Sequence, residues 1–341
     1  MDKINKDIVS AQLQITRDVM SAWKSQILFS LSSLGVFDAL RDKPLRHETL
    51  AQILSVPAES LRRLLNAAVA AGYLEKCDGA YTNIEALKPV LCTGNDCSMN
   101  RLLSLYRIWY KTFSRLEEAV RTNSAVENAN EQRDANYYTT FIEGMTDYAQ
   151  YRGRDILNYL DLTERTSFLD VGCGPGIYAS MICKAYPNLE YTCYDVAPAL
   201  EIARTNLQRE GIRERIHFRI GDYHNDDLFG GPYDVVFLSH VFHQESSDCC
   251  LKIAQKAYSS LVPGGIIVVQ AMFLNNDETS PLYASFHDLL TLLIFPGGRN
   301  YTFQETERIL RDAGFDQIQA KRMSLFNVNS LLIGKKGNVS Q

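Results

Sequence analysis

Two kinds of hydrophobic spacing divide this chain. In the first part, apolar positions recur at helical intervals: Ile15, Val19, Trp23, Ile27, Leu31 and Leu34 sit near a 3.6-residue period and predict helix over 8–41. HETLAQILSV (47–56) and AESLRRLLNAAVAAG (58–72) predict two more helices, with Gly72 as the stop. YLEKCDGAYTN (73–83) then alternates and reads as a hairpin turned at Asp78-Gly79. Helices followed by a hairpin make a winged-helix pattern. Longer helices are expected over 98–122 and 136–160. From Ser167 the pattern changes. The short apolar runs SFLDVG, YTCYDV, IHFRIGD, YDVVFLS and GGIIVVQAM alternate with amphipathic stretches at 177–186, 198–210 and 247–261. A helix over 303–314 and a strand near 329–334 follow. Such alternation predicts an α/β domain, a parallel sheet flanked by helices. The expected division is 1–103 for the mostly α-helical domain and 104–341 for a helical bridge plus the α/β domain.

Composition narrows the class. With 341 residues there is room for two domains and a sizeable core, and 46% hydrophobic with 22% charged residues is an ordinary globular balance. The net charge of −5 argues against general affinity for nucleic acid or anionic membranes. Eight cysteines are scattered without a C-x-x-C pair, which points to reduced thiols in a cytoplasmic protein rather than a zinc knuckle. The first residues are too polar for a signal peptide, and no apolar run is long enough to span a membrane.

FLDVGCGPG (168–176) follows a predicted strand and precedes a helix. Its glycines suit a tight turn that lets a ligand press against backbone N–H groups at a helix N-terminus. Alone, this pattern would equally suit a nicotinamide-type loop. Asp195 ends the second strand, where a carboxylate can take both hydroxyls of a ribose. Gly221-Asp222-Tyr223 ends the third, and Leu261–Gly265 (LVPGG) precedes another strand. In this order and spacing, residues 167–334 resemble class I S-adenosylmethionine (SAM) methyltransferases. The resemblance implies a Rossmann-like fold. Asp170, Gly172, Gly174 and Gly176 would surround the amino acid part of the cofactor, Asp195 the ribose, Asp222 and Tyr223 the adenine, with Ser239 also on the cofactor side. ILFSLSSLGVFDAL, LAQILSVPAESLRRLLNAAVAAGYLE and GAYTN resemble the dimerisation domain of small-molecule O-methyltransferases, which implies a homodimer. The competing reading is a DNA-binding winged helix. It wants a basic face, but residues 1–100 hold 11 Lys+Arg against 11 Asp+Glu, a difference of zero.

The same resemblance bears on the reacting end. In YDVVFLSHVFHQES, His243 takes the place of the family's general base, with Gln244 where the family usually has Asp. The two acidic residues that orient that base fall at Gln270 and Asn300, both amides here. An amide can fix an imidazole's tautomer but scarcely stabilises an imidazolium. His287, in the segment aligned with the acceptor-pocket helix, is expected to face His243. With the amides, this pair is similar to bacterial 2-oxo acid C-methyltransferases that make β-methyl amino acids. That implies His243 and His287, with Gln244 a possible third, as ligands of a divalent or ferric ion (Fe, Zn, Ni or Co). The ion would bind a phenylpyruvate-like or guanidino-2-oxopentanoate-like acceptor and stabilise its enolate for attack on the SAM methyl. Arg299 could hold the acceptor carboxylate, and Asp288 and Glu143 could meet a cationic side chain. His240 reads as structural or cofactor wall. The alternative is O-methylation of a phenolic or other hydroxylated metabolite with His243 as base. A cofactor-sensing regulator and a binding protein that has lost the chemistry are further readings.

Overall fold

Helical spacing over 8–41 is interrupted at Gly35, whose φ of 75° lies in the left-handed region that a glycine enters without strain. In the computed structural model, which describes residues 3–128, 135–323 and 328–338, the break separates α1 (Lys3–Ser33) from α2 (Val36–Ala39). The chain divides into two compact units, Met1–Arg107 and Ile108–Gln341.

The first unit continues with β1 (Leu45–Arg46), α3 (His47–Leu54), α4 (Ala58–Ala70), β2 (Leu74–Cys77), β3 (Ala80–Asn83) and α5 (Lys88–Leu91). The hairpin forms where expected. Asp78 and Gly79 both adopt positive φ (49° and 78°), the mirror-image turn whose twist matches two antiparallel strands. β1 was not foreseen, because two residues carry no periodicity; it pairs with β3 to give the order β1-β3-β2. Leu31, Phe37, Leu50, Leu61, Leu65, Leu74 and Tyr81 form the core. The buried Asn83 amide donates to the Phe37 carbonyl at 2.8 Å, tying hairpin to helix. Along α1, by contrast, Ile8, Leu13, Ile15, Val19 and Trp23 are exposed.

α6 (Asn100–Phe113) carries the boundary between units. The single helix expected over 98–122 is in fact two. After a turn at Ser114-Arg115 comes α7 (Leu116–Thr122), with Arg115 held by Glu118. Likewise 136–160 is α8 (Ala135–Arg152) followed by a 3₁₀ segment, Arg154–Asn158. At the break a Cβ on Gly153 would come within 2.4 Å of the Ala149 carbonyl oxygen.

The second unit builds a seven-stranded sheet from β4 (Ser167–Val171), α9 (Ile177–Ala185), β5 (Glu190–Asp195), α10 (Ala197–Arg209), β6 (Ile216–Ile220), β7 (Tyr233–Ser239), α11 (Ser247–Ser260), β8 (Leu261–Ala271), α12 (Leu282–Ile294), α13 (Phe303–Asp312), β9 (Asp316–Arg322) and β10 (Ser330–Lys335). Strand order is β6-β5-β4-β7-β8-β10-β9. The first five are parallel, as the alternation predicts, and two apolar clusters cover the faces. Two features depart from expectation. β10 runs antiparallel to β8, and the polar edge strand β9 (DQIQAKR) escaped notice because it lacks an apolar face. Leu261–Gly265 lies within β8 rather than before it. The sheet reverses direction of growth between β4 and β7, and ligands of such sheets bind in the crevice at that switch point, outside the carboxyl ends of the strands. No helix among the described residues is long and apolar enough to cross a membrane.

Candidate functional site

At the end of β4 the glycine loop turns sharply. Gly172, Gly174 and Gly176 take φ of 73°, 53° and 75°. A Cβ on Gly174 would meet nothing within 4 Å, so its backbone faces open space, whereas one on Gly176 would sit 3.1 Å from Leu207 and 3.2 Å from Ala203. The first leaves room for a ligand; the second permits close packing of α9 on α10. Asp195, at the end of β5, accepts hydrogen bonds from Gly174 N (2.8 Å) and Val196 N (2.7 Å). Burial raises its carboxyl to about 6 against those two donors.

Asp170 is fully buried. One carboxyl oxygen accepts from the Tyr191 hydroxyl at 2.8 Å; the other has no hydrogen-bond partner among the described residues. Burial lifts this group to about 7, with the Tyr191 bond opposing and the Asp195 charge adding. An acidic oxygen aimed at nothing within the protein fits an ammonium-bearing ligand. Tyr138 on α8 was not read from the sequence, for want of any motif. Its hydroxyl is pushed up by burial first and then by the nearby Asp195 carboxylate.

The other expected cofactor residues are held less openly. Asp222 closes its own turn, accepting from His224 N and the Asn225 amide. Tyr223 donates to Glu245 at 2.9 Å. Ser239 donates to the Gln270 amide oxygen at 3.2 Å.

Beyond β7 stand three imidazoles. His240 sits at φ 59°, an unusual strain for a non-glycine residue. His243 lies on the 3₁₀ turn Phe242–Gln244, and His287 on α12. Ring centroids are 5.3 Å apart for His240 and His243 and 4.7 Å for His243 and His287. Burial first, then the neighbouring imidazoles, hold His243 well below the usual histidine range. Burial lowers His287 to about 4, countered by Asn300, and lowers His240 to about 3. All three are therefore neutral at physiological pH. His243 Nδ1 is buried without a partner among the described residues. The two amides are where the aligned acids would be. Gln270 accepts from Ser239, and its backbone carbonyl takes His240 N. Asn300 donates its amide to Ala284 O (2.7 Å), which leaves its Oδ1 facing His287 Nδ1 at 3.0 Å. His287 must then donate from Nδ1, so its lone pair is on Nε2.

Three expected participants are engaged elsewhere. The Gln244 amide donates to the His240 carbonyl, closing the turn rather than reaching outward. Arg299 pairs with Glu305 (3.0 Å) and lies over Tyr301, with its side chain 44% exposed. Asp288 accepts from Asn300 N, and Glu143 is exposed.

Residues 116–316 match the O-methyltransferase domain family, and residues 18–86 the O-methyltransferase dimerisation domain. The chain is 27% identical over 320 residues to 3-hydroxy-5-methyl-1-naphthoate 3-O-methyltransferase of Streptomyces sahachiroi, covering 92% of each. It is 26% identical over 339 residues to the S-adenosyl-L-methionine-dependent methyl transferase PigF of a Serratia species, covering 93% of this chain and 94% of that one. Among solved structures, human N-acetylserotonin methyltransferase in complex with SAM aligns with a TM-score of 0.87 at 25% identity, covering 96% of this chain and 98% of that one.

Proposed function

We propose, for a chain that belongs to the O-methyltransferase family and carries its dimerisation domain, that the methyl group goes to carbon: to C3 of a small 2-oxo acid. The protein is a SAM-dependent methyltransferase. Bound SAM supplies an electrophilic methyl group. In our reading the glycine loop lets it approach the backbone at Gly172, Gly174 and Gly176. Asp170 receives the ammonium of its amino acid part, Asp195 the ribose, and Asp222 and Tyr223 border the adenine, with Ser239 nearby.

The observation that carries the choice of acceptor is the neutral His243–His287 pair, with His243 buried and without a partner at Nδ1 among the described residues and His287 bonded to the Asn300 amide instead of a carboxylate. A base that must hold a phenol's proton becomes an imidazolium. Here that charge would be buried beside two other imidazoles with no carboxylate bonded to it, so transfer is poorly driven. Neutral imidazole is instead the metal-ligating form. Two imidazoles sharing one ion at bond lengths of about 2 Å put their centroids about 5 Å apart, close to the spacing found here. Asn300 plays the part of the outer partner, fixing the His287 ring with Nε2 as the free donor. An ion held by His243 and His287 would act as a Lewis acid on a keto oxygen, acidifying the neighbouring C–H; its proton would leave to solvent, and the carbon would take the methyl as the methyl–sulfur bond of SAM breaks and the neutral thioether departs. His240 walls the pair, and the chain's remaining task is to hold the acceptor in line with the methyl. Gln244, bonded within its own turn, is left out of this ligand set, and Arg299, paired with Glu305 on α13, is left out of acceptor binding.

The names of the relatives favour a second reading, transfer to a hydroxyl oxygen with His243 as base. Elemental analysis of protein purified without added metal separates the two. Under the carbon reading, wild type holds one ion at the histidine pair, and His287→Ala loses that one equivalent and turnover together, whatever the chain binds elsewhere. Full activity on a phenolic acceptor after chelation would establish the oxygen reading instead. The exposed apolar row of α1 supports a homodimer formed through the first unit.

A further inference from the structure

We infer that His224, Glu245 and Cys249 form a second and separate site for a thiophilic divalent cation of the zinc class. The three residues come from different segments: the loop after β6, the turn after His243, and the first turn of α11. One donor atom from each lies within 4.8 Å of the others, with Cys249 Sγ 3.7 Å from His224 Nδ1 and Glu245 Oε1 3.2 Å from His224 Nε2. Donors of a tetrahedral zinc ion stand about 3.5 Å apart, given bonds of 2.0–2.3 Å, so the three donor atoms, within 4.8 Å of one another, would have to draw together by up to about 1 Å, with the half-exposed His224 ring presenting a single nitrogen. Thiolate, imidazole and carboxylate together are a zinc-type donor set.

Two features mark this as more than a chance grouping. Glu245 is buried, yet its contacts here are neutral or only weakly basic: the Tyr223 hydroxyl at 2.9 Å and His224. Tyr223 thereby orients the carboxylate as an outer partner would. The second is that the Cys249 thiol and the Glu245 carboxylate flank one imidazole, that of His224. The metal–sulfur bond forms as the S–H proton leaves to solvent, and two adjacent anionic donors gain a common counter-ion. His224 is half exposed, so an ion can enter from solvent.

Cobalt(II) titration of the full-length protein tests this independently of the acceptor reading, because His243 and His287 supply no sulfur. Near-ultraviolet thiolate-to-cobalt absorption should grow with added cobalt and saturate at a single thiolate-bound ion per chain, and in His287→Ala it should do so at one equivalent. The band should vanish in Cys249→Ser and need at least about tenfold more cobalt in His224→Ala. It should persist in His287→Ala, and thermal melting verifies that each variant is folded. No band in wild type, or an undiminished band in folded Cys249→Ser, overturns the proposal.

Discussion

Asn300 is fixed at both ends of its amide, and that decides which nitrogen of His287 is basic. Removing the side chain frees the ring and takes a second donor from the Ala284 carbonyl, which lies within α12. Asn300→Ala is therefore expected to weaken metal retention about 10–100-fold, measured by equilibrium dialysis, and to cost about 1–3 kcal/mol in denaturant unfolding. Asp195 offers a test by pH. Its folded pKa of about 6 lies above the ordinary 3.8, so the folded state binds more protons between those values, and this group's contribution to stability falls as pH rises from 4 to 6. Asp195→Asn removes that slope. Relative to wild type, the variant should gain stability across this window and stay level above pH 7, as followed by urea unfolding of the ligand-free protein; a difference independent of pH would refute the assignment. At this scale the sequence was informative where spacing was local. The loop acids and glycines announce themselves in nine residues. His243 and His287, 44 residues apart, could be paired only through a resemblance. Tyr138 and Glu245 were invisible because only the folded chain brings them to their neighbours.

Among the elements, the loop that opens α9 is the most exacting. Gly176 combines φ 75° with Cβ contacts of 3.1 and 3.2 Å to α10, so Gly176→Ala meets strain and crowding together. A loss of about 1–3 kcal/mol is expected, with weaker SAM binding in calorimetry. Gly174→Ala should be milder in packing, since only its φ is offended. Strands and hairpin were legible wherever an apolar face repeats every second residue. β9 was lost because a polar edge strand has no such face, and the predicted longer helices broke at Ser114-Arg115 and Gly153, where chain geometry overrides apolar spacing. The exposed row on α1 is legible in the opposite sense, as a periodicity that the first unit leaves uncovered. Val19→Asp combined with Trp23→Asp should convert a homodimer to monomer in sedimentation velocity while leaving the first unit folded, because neither side chain belongs to its core.

For the molecule as a whole, the family sets the cofactor and the reaction type, while the acceptor depends on a handful of side chains beyond β7. On the carbon reading proposed above, two amides and a pair of neutral imidazoles would suit this site to an ion rather than to an imidazolium. The most direct measurement supplies SAM carrying a carbon-13 methyl together with phenylpyruvate and, separately, a phenolic acceptor, and reads the product by NMR. The account predicts a labelled methyl on the carbon next to the keto group, absent after chelation. A labelled methyl on the phenolic oxygen, formed equally well in the presence of chelator, would contradict it.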